Sequence, residues 1–370
     1  MIQVNTPIIT KEASKYIQDC LDTGWISSQG KYVSRFEKEF ADYIGVKYAT
    51  TISNGTTALH IACQLLDLKP GDEIILPDLT IISCINAVWY TGATPILVDI
   101  DKESFTMDPE LIEKKITKKT KAIMVVHLYG HPADMDPILK IAKKYKLKII
   151  EDAAEAHGAE YKGKKCGSIG DIGVFSFYPN KLITTGEGGM VVTNNKNYYK
   201  HAVLLKDLSH SPKKRFKHFE IGNNYRMTNM QAALGCAQML HIDEFFQKKQ
   251  DMARLYNEGL KDIIGLHIPI TKKWALNSYW MYAITVDKKF PYNRDEFRKK
   301  LKENGIDTRD FFYPLHSQPI YIKMEKSKGS FPVSLKASKE GLYLPSGLAL
   351  SKNEIETVIK AVVKLSHDKK

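Results

Sequence analysis

Through the first two thirds of the chain, apolar runs rich in β-branched residues alternate with stretches whose apolar positions recur every three or four residues. The runs YATTIS, EIILP, TPILVDI, KAIMVVHLY, LKIIED, IGVFSF and GMVVT predict strands, and TTALHIACQLLD, TIISCINAVWYTG, DPELIEKKI and MDPILKIAKKY predict the helices between them. Strands alternating with helices imply βαβ units, hence an α/β fold whose mostly parallel sheet is flanked by helices. After Asn229 the texture changes. One long helical stretch runs from Met230 to Ile263, followed by a strand in YWMYAITV, a helix in DEFRKKLKENG and a terminal helix in SKNEIETVIKAVVKLS. The pattern therefore divides into a large α/β domain over residues 1–245 and a small C-terminal α+β domain over residues 246–370.

Composition narrows the class. With 370 residues, 43% of them hydrophobic, the chain can bury a full core. No run of about 18 apolar residues occurs, and MIQVNTPIIT lacks a basic segment followed by an apolar one, so neither a membrane span nor a secretion signal is predicted and a cytoplasmic location is expected. Cys20, Cys63, Cys84, Cys166 and Cys236 are odd in number, widely spaced and form no CxxC pair, which predicts inert thiols and no structural metal site. The net charge of +12 raises the possibility of nucleic acid. Its distribution argues otherwise, because the lysines cluster in helical runs such as IEKKITKKTK, where charge marks a solvated face, and no nucleic-acid-binding motif accompanies them.

In open α/β sheets, ligands gather at the carboxyl ends of the strands, so the polar residues after each apolar run carry the functional signal. After YATTIS comes NGTTALH, in which Gly55 permits close backbone approach and Thr56 and Thr57 open a helix whose first amides suit an anion. After LKIIED comes AAEAHG, with Asp152 at the strand end and Glu155 three residues on. After IGVFSF comes YPNK, with Ser176 and Lys181, and NNYRMTN precedes the long helix. Each alone is an ordinary cap, turn or surface residue. Together, an anion cradle, an acid and one lysine are what pyridoxal phosphate requires: the lysine bonds to its aldehyde, the acid keeps its pyridine nitrogen protonated, and the helix start holds its phosphate.

The stretches TGWISSQGKYVSRFEKEFA, SNGTTALH, YTGATPILVDID, KAIMVVHLYGHPADMDPI, EDAAEAHGA, FSFYPNKLITTGEGGMVVTN and IGNNYRMTNMQAALG span nearly the whole chain and resemble the DegT/DnrJ/EryC1/StrS family of pyridoxal-phosphate sugar aminotransferases. Within it, HLYGHPADMDPI, KLITTGEGGMVVTN, NNYRMTN and TRDFFYPLHSQP give a closer likeness to enzymes that aminate C4 of GDP-4-keto-6-deoxy-D-mannose. The resemblance implies a fold-type I aminotransferase, active as a homodimer, that uses PLP and its amine form PMP to move an amino group from L-glutamate, releasing 2-oxoglutarate, onto a nucleotide sugar for surface-polysaccharide (O-antigen) synthesis. It implies that Lys181 bonds to the cofactor and moves the proton, that Asp152 meets the pyridine nitrogen, that Glu155 lies near the 3-hydroxyl, and that Gly55, Thr56, Thr57 and Ser176 hold the phosphate. Asn224 is implied to reach the phosphate from the partner subunit, and Trp25, Arg309, Tyr313 and His316 to face the nucleotide sugar. Two departures bear on substrate. Ile81 stands where family members commonly place an aromatic residue against the pyridine ring, and Lys217 where the enzymes of closer likeness usually show Trp. Other readings are a dTDP- or UDP-linked keto sugar aminated at C4 or C3, and a cofactor-bound regulator without turnover.

Overall fold

Seven apolar runs assemble into one sheet: β1 (Tyr48–Ile52), β2 (Glu73–Pro77), β3 (Thr94–Val98), β4 (Thr120–Val126), β5 (Lys148–Asp152), β6 (Ile172–Ser176) and β7 (Gly189–Thr193), in the spatial order β1-β7-β6-β5-β4-β2-β3. The computed structural model describes residues 1–211, 213, 214, 216–325 and 329–368 of the chain. Neighbouring strands from β6 to β3 are parallel, and β7 alone runs against both of its neighbours. Both faces of the sheet are covered. In β6, Ile172 and Val174 join one core with Ala58, Ile61 and Val88, while Phe175 joins another with Phe36, Phe40 and Ala233. That two-residue alternation, apolar on both sides, is why the runs read as continuous hydrophobic stretches.

The reversed β7 decides where the chemistry sits. Because β6 ends at Ser176 and β7 starts at Gly189 on the same sheet edge, the connection that carries Lys181 lies beside the carboxyl ends of β1, β5 and β6. Helix Gly55–Gln64 begins there too, directly after β1. Its start is fixed by a capping box: the Asn54 side chain accepts from the Thr57 amide at 2.9 Å, and the Thr57 hydroxyl accepts from the Asn54 amide at 3.2 Å. Such a cap contributes about 1 kcal/mol to the helix.

A four-stranded antiparallel sheet follows in the order β8-β9-β11-β10, built from β8 (Leu266–His267), β9 (Tyr282–Val286), β10 (Arg309–Asp310) and β11 (Gly341–Leu344). The helical stretch expected from Met230 to Ile263 is two helices, Asn229–Met239 and Ile242–Leu260, broken at Leu240 and His241. Ala232, Ala233 and Cys236 before the break and Ile242 and Phe245 after it belong to the core around Phe36, whereas Met252, Ala253 and Tyr256 belong to the core of the second sheet, so the second helix bridges both. Residues 2–6 also pack against the C-terminal portion. The Ile2 amide donates to Gly305 O at 2.7 Å, and the Ser346 amide to Val4 O at 2.8 Å. Among the described residues, no helix is long and apolar enough to cross a membrane, and no cluster of His, Cys, Asp and Glu has the makings of a metal site. All five cysteines are free and buried.

Candidate active site

A cleft of 1690 Å³ opens at this sheet edge, lined by Gly55, Thr56, Thr57, Ile81, Asp152, Glu155, Ser176 and Lys181 from the large sheet's side and by Trp280, Arg309 and Tyr313 from beyond it. Lys181 stands on its floor. Its Nζ lies 3.6 Å from Glu155 Oε1 and 4.0 Å from the centre of the Trp280 ring, with the side chain 11% exposed. Burial lowers the lysine's pKa below that of a free amine, opposed by the charges of Glu155 and Asp152. Glu155 responds in the opposite sense: burial lifts its carboxyl to about 7, although Lys181 and the Tyr129 amide, which donates to Oε2 at 2.9 Å, both favour the carboxylate. The low dielectric thus drives both members of the pair toward their neutral forms, which is the state a nucleophilic amine needs.

This sets a pH dependence with a definite sign. A carboxyl whose folded pKa exceeds its unfolded one holds a proton that the unfolded chain has released, so its contribution to stability is complete at low pH and is lost as pH rises through about 7. Denaturation of the cofactor-free protein between about pH 5 and pH 8 is expected to show the wild type losing more stability than Glu155→Gln, by on the order of 3 kcal/mol. Equal losses in the two proteins would contradict a buried, proton-retaining Glu155.

Asp152, the last residue of β5, is 3% exposed. Its Oδ1 accepts from the Ala154 amide at 3.0 Å, and its Oδ2 from the Cys84 thiol at 3.1 Å. Cys84, a buried thiol whose pKa burial pushes up, keeps the inertness its spacing implied but serves as a hydrogen-bond donor; it lies four residues from Thr80, whose hydroxyl is 3.4 Å from Sγ, and both follow the end of β2. The start of the Gly55–Gln64 helix faces Ser176 so closely that a Cβ on Gly55 would sit 2.8 Å from the Ser176 Cβ. The residue type that permits this approach is glycine. Thr56 Oγ1 meets Ser83 Oγ at 2.8 Å, while the Thr57 hydroxyl is engaged by Asn54 and Ser53, which leaves Thr57 acting through the helix start. The donor set fits pyridoxal phosphate, with an amine for the aldehyde, a carboxylate for the ring nitrogen, and helix amides with hydroxyls for the phosphate.

The other sequence-derived residues divide between the cleft's wall and rim and places outside it. Ile81 is 40% exposed on the cleft wall and presents an aliphatic face there. Arg309 is tied to Asp307 at 2.9 Å at the cleft rim, where Tyr313 is exposed. His316 is spent on structure: its Nδ1 is 2.7 Å from the fully buried Asp78 Oδ2, its amide donates to Oδ1 at 2.9 Å, and its ring stacks on Phe331. This bond pins the 311–318 loop to the end of β2. Asn224 and Trp25 are not brought to the cleft of their own chain. Trp25 lines a separate 550 Å³ cavity with Lys206, Asp207 and Arg226, and Asn224 pairs by backbone with Asp207. Lys217 is exposed, its ammonium over the Phe219 ring. The sequence reading missed Trp280, buried in what it took as a plain strand, and Tyr129, which has φ 55° and binds both Glu155 and, through its hydroxyl, the Phe312 amide.

Residues 7–363 match the model of the DegT/DnrJ/EryC1/StrS aminotransferase family. The chain belongs to that family. Among similar proteins, the GDP-perosamine synthase of Escherichia coli O157:H7 is 44% identical over 368 residues, covering 100% of this chain and 99% of the relative. S. venezuelae DesV has a crystal structure that superposes with a TM-score of 0.92 at 35% identity, over 97% of this chain and 95% of that one. Streptococcus pneumoniae Spr1654, solved in PLP and PMP forms, gives 0.94 for its PMP form at 26% identity, over 99% of this chain and 97% of that one. As a DegT/DnrJ/EryC1/StrS enzyme, this chain is a sugar aminotransferase dependent on pyridoxal phosphate, with the fold expected of it.

Proposed function

We propose that the enzyme aminates C4 of GDP-4-keto-6-deoxy-D-mannose with L-glutamate as donor, yielding GDP-perosamine and 2-oxoglutarate. The observation that supports this substrate most strongly is the 44% identity, end to end, with an enzyme named for that product. When bound, pyridoxal phosphate supplies an electron sink for the carbon that loses its proton. The chain's residues do the rest. Asp152 keeps the ring nitrogen protonated, with the Cys84 thiol and the Ala154 amide holding its two oxygens in place. Gly55, Thr56, Thr57 and Ser176 grip the phosphate through the helix start and their hydroxyls, and Glu155 orients toward the ring's 3-hydroxyl. Lys181 takes the proton from the α-carbon of glutamate and returns one to the sugar carbon, a task suited to an amine whose charge is disfavoured by burial. Arg309, on β10, and Tyr313, on the loop that His316 anchors to Asp78, receive the nucleotide sugar at the rim.

The working form in this reading is a homodimer. Phe219 and Ile221 are 76% and 87% exposed a few residues before Asn224, and apolar side chains so open favour a cover. A second copy seated there would carry Asn224 and Trp25 to its partner's cleft. The chain is read as a large unit, residues 1–245, and a small one, residues 246–370, acting in the cytoplasm in surface-polysaccharide synthesis. The test is to load the purified enzyme with glutamate and then add GDP-, dTDP- and UDP-linked 4-keto-6-deoxy sugars separately. Restoration of the original absorbance by the GDP sugar alone is the expected result. Restoration by a dTDP or UDP sugar alone would reject the substrate, and no bleaching by glutamate would reject turnover altogether.

A further inference from the structure

The proposed reaction requires Lys181 to leave its bond to the cofactor and return to it in each turnover, which raises the question of where the freed amine resides. Trp280 supplies an answer. Its ring centre lies 4.0 Å from Lys181 Nζ, within the range at which an aromatic face attracts an ammonium. The ring is 5% exposed and fixed from several directions. The indole Nε1–H donates at 2.7 Å to the carbonyl of Asn180, the residue next to Lys181. The Trp280 carbonyl accepts from the buried Lys249 Nζ at 3.0 Å, and the Tyr129 ring lies nearly parallel to the indole, at 14°. Gly130 lets the backbone close in: a Cβ there would stand 2.8 Å from the Trp280 amide nitrogen. A side chain so constrained has no freedom to follow the lysine. The lysine comes to it.

We propose that Trp280 is a positioning residue for Lys181, its indole face holding the free amine on the cleft floor opposite Glu155 whenever that amine is not bonded to the cofactor. The charged and titratable groups around Nζ are Glu155, Asp152 and the Cys84 thiol, with the buried His157 ring, packed against Phe175 and Phe177, also feeling the Lys181 charge. None of these is altered by changing Trp280, so the indole's own effect can be isolated. An aromatic face favours ammonium over amine, and its removal makes the amine easier to deprotonate.

The experiment uses the cofactor-free protein and follows the capture of added PLP by absorbance across a pH series, with Lys181→Ala as the control that has no capturing amine. The pH at which capture reaches half its maximal rate reports the ionisation of Lys181. In Trp280→Leu this midpoint is expected to fall by about one pH unit, with Trp280→Phe, which keeps a ring but loses the Nε1–H bond, lying between. Structural loosening would act in the opposite direction, because water entering the site stabilises ammonium. An unchanged midpoint, or one that rises, in either variant that folds overturns the proposal while leaving the function of Lys181 intact. Wild-type protein without Lys181-dependent capture overturns both this inference and the mechanistic reading on which it rests.

Discussion

Lys181→Ala is expected to lose the visible absorbance that marks the covalently held cofactor and to lower turnover at least about 10⁴-fold, because the same side chain is bonding partner and proton carrier. The geometry permits no substitute. The other buried lysine near the site, Lys249, spends its ammonium on the carbonyls of Trp280 and Ser346 and does not line the cleft. The fold should survive, since Lys181 makes one ion-pair contact, to Glu155, and its removal frees that carboxyl to stay protonated. Absorbance spectra and steady-state rates on the purified variant check both parts. A variant that keeps band and rate would show that another group performs the chemistry.

Asp152→Asn should give the next largest effect. The amide keeps the size and its oxygen can still accept from the Ala154 amide, while its NH2 replaces the oxygen that accepts from Cys84, and it carries no negative charge to hold a proton on the ring nitrogen. A drop in kcat on the order of 10²- to 10³-fold is expected, with the cofactor still retained through its phosphate and Lys181. The separation of the two effects is informative. Loss of the cofactor along with the rate would make Asp152 chiefly a binding group, and an unaffected kcat would remove it from the mechanism.

These two residues were readable from sequence for a physical reason. Strand ends are marked by the close of an apolar run, and β1, β5 and β6 bring theirs to one edge, so Thr56, Asp152, Ser176 and Lys181 could be grouped before any coordinates. What stayed hidden depends on contacts across long stretches of chain. Cys84 and Asp152 are 68 positions apart, and nothing in the spacing of SCINAVW says that its thiol faces a carboxylate. Trp280 and Asn180 are 100 apart, and an indole inside an apolar run has the same pattern whether it fills a core or backs an amine. His316 shows the converse. Its loop was located, but its partner Asp78, 238 positions away, turns the side chain to anchoring. The break at Leu240 was invisible too, since no glycine or proline marks it.

The pairing of residues 2–6 with the segments around Gly305 and Ser346 bears on how the molecule is made. On a ribosome, residues 2–6 emerge long before either of their partner segments exists. The seven strands of the large sheet, all complete by Thr193, have every partner they need much sooner. The second sheet, and with it the cleft wall carrying Trp280 and Arg309, is complete only once Gly341–Leu344 has been made, so the contacts of residues 2–6 are among the last to form.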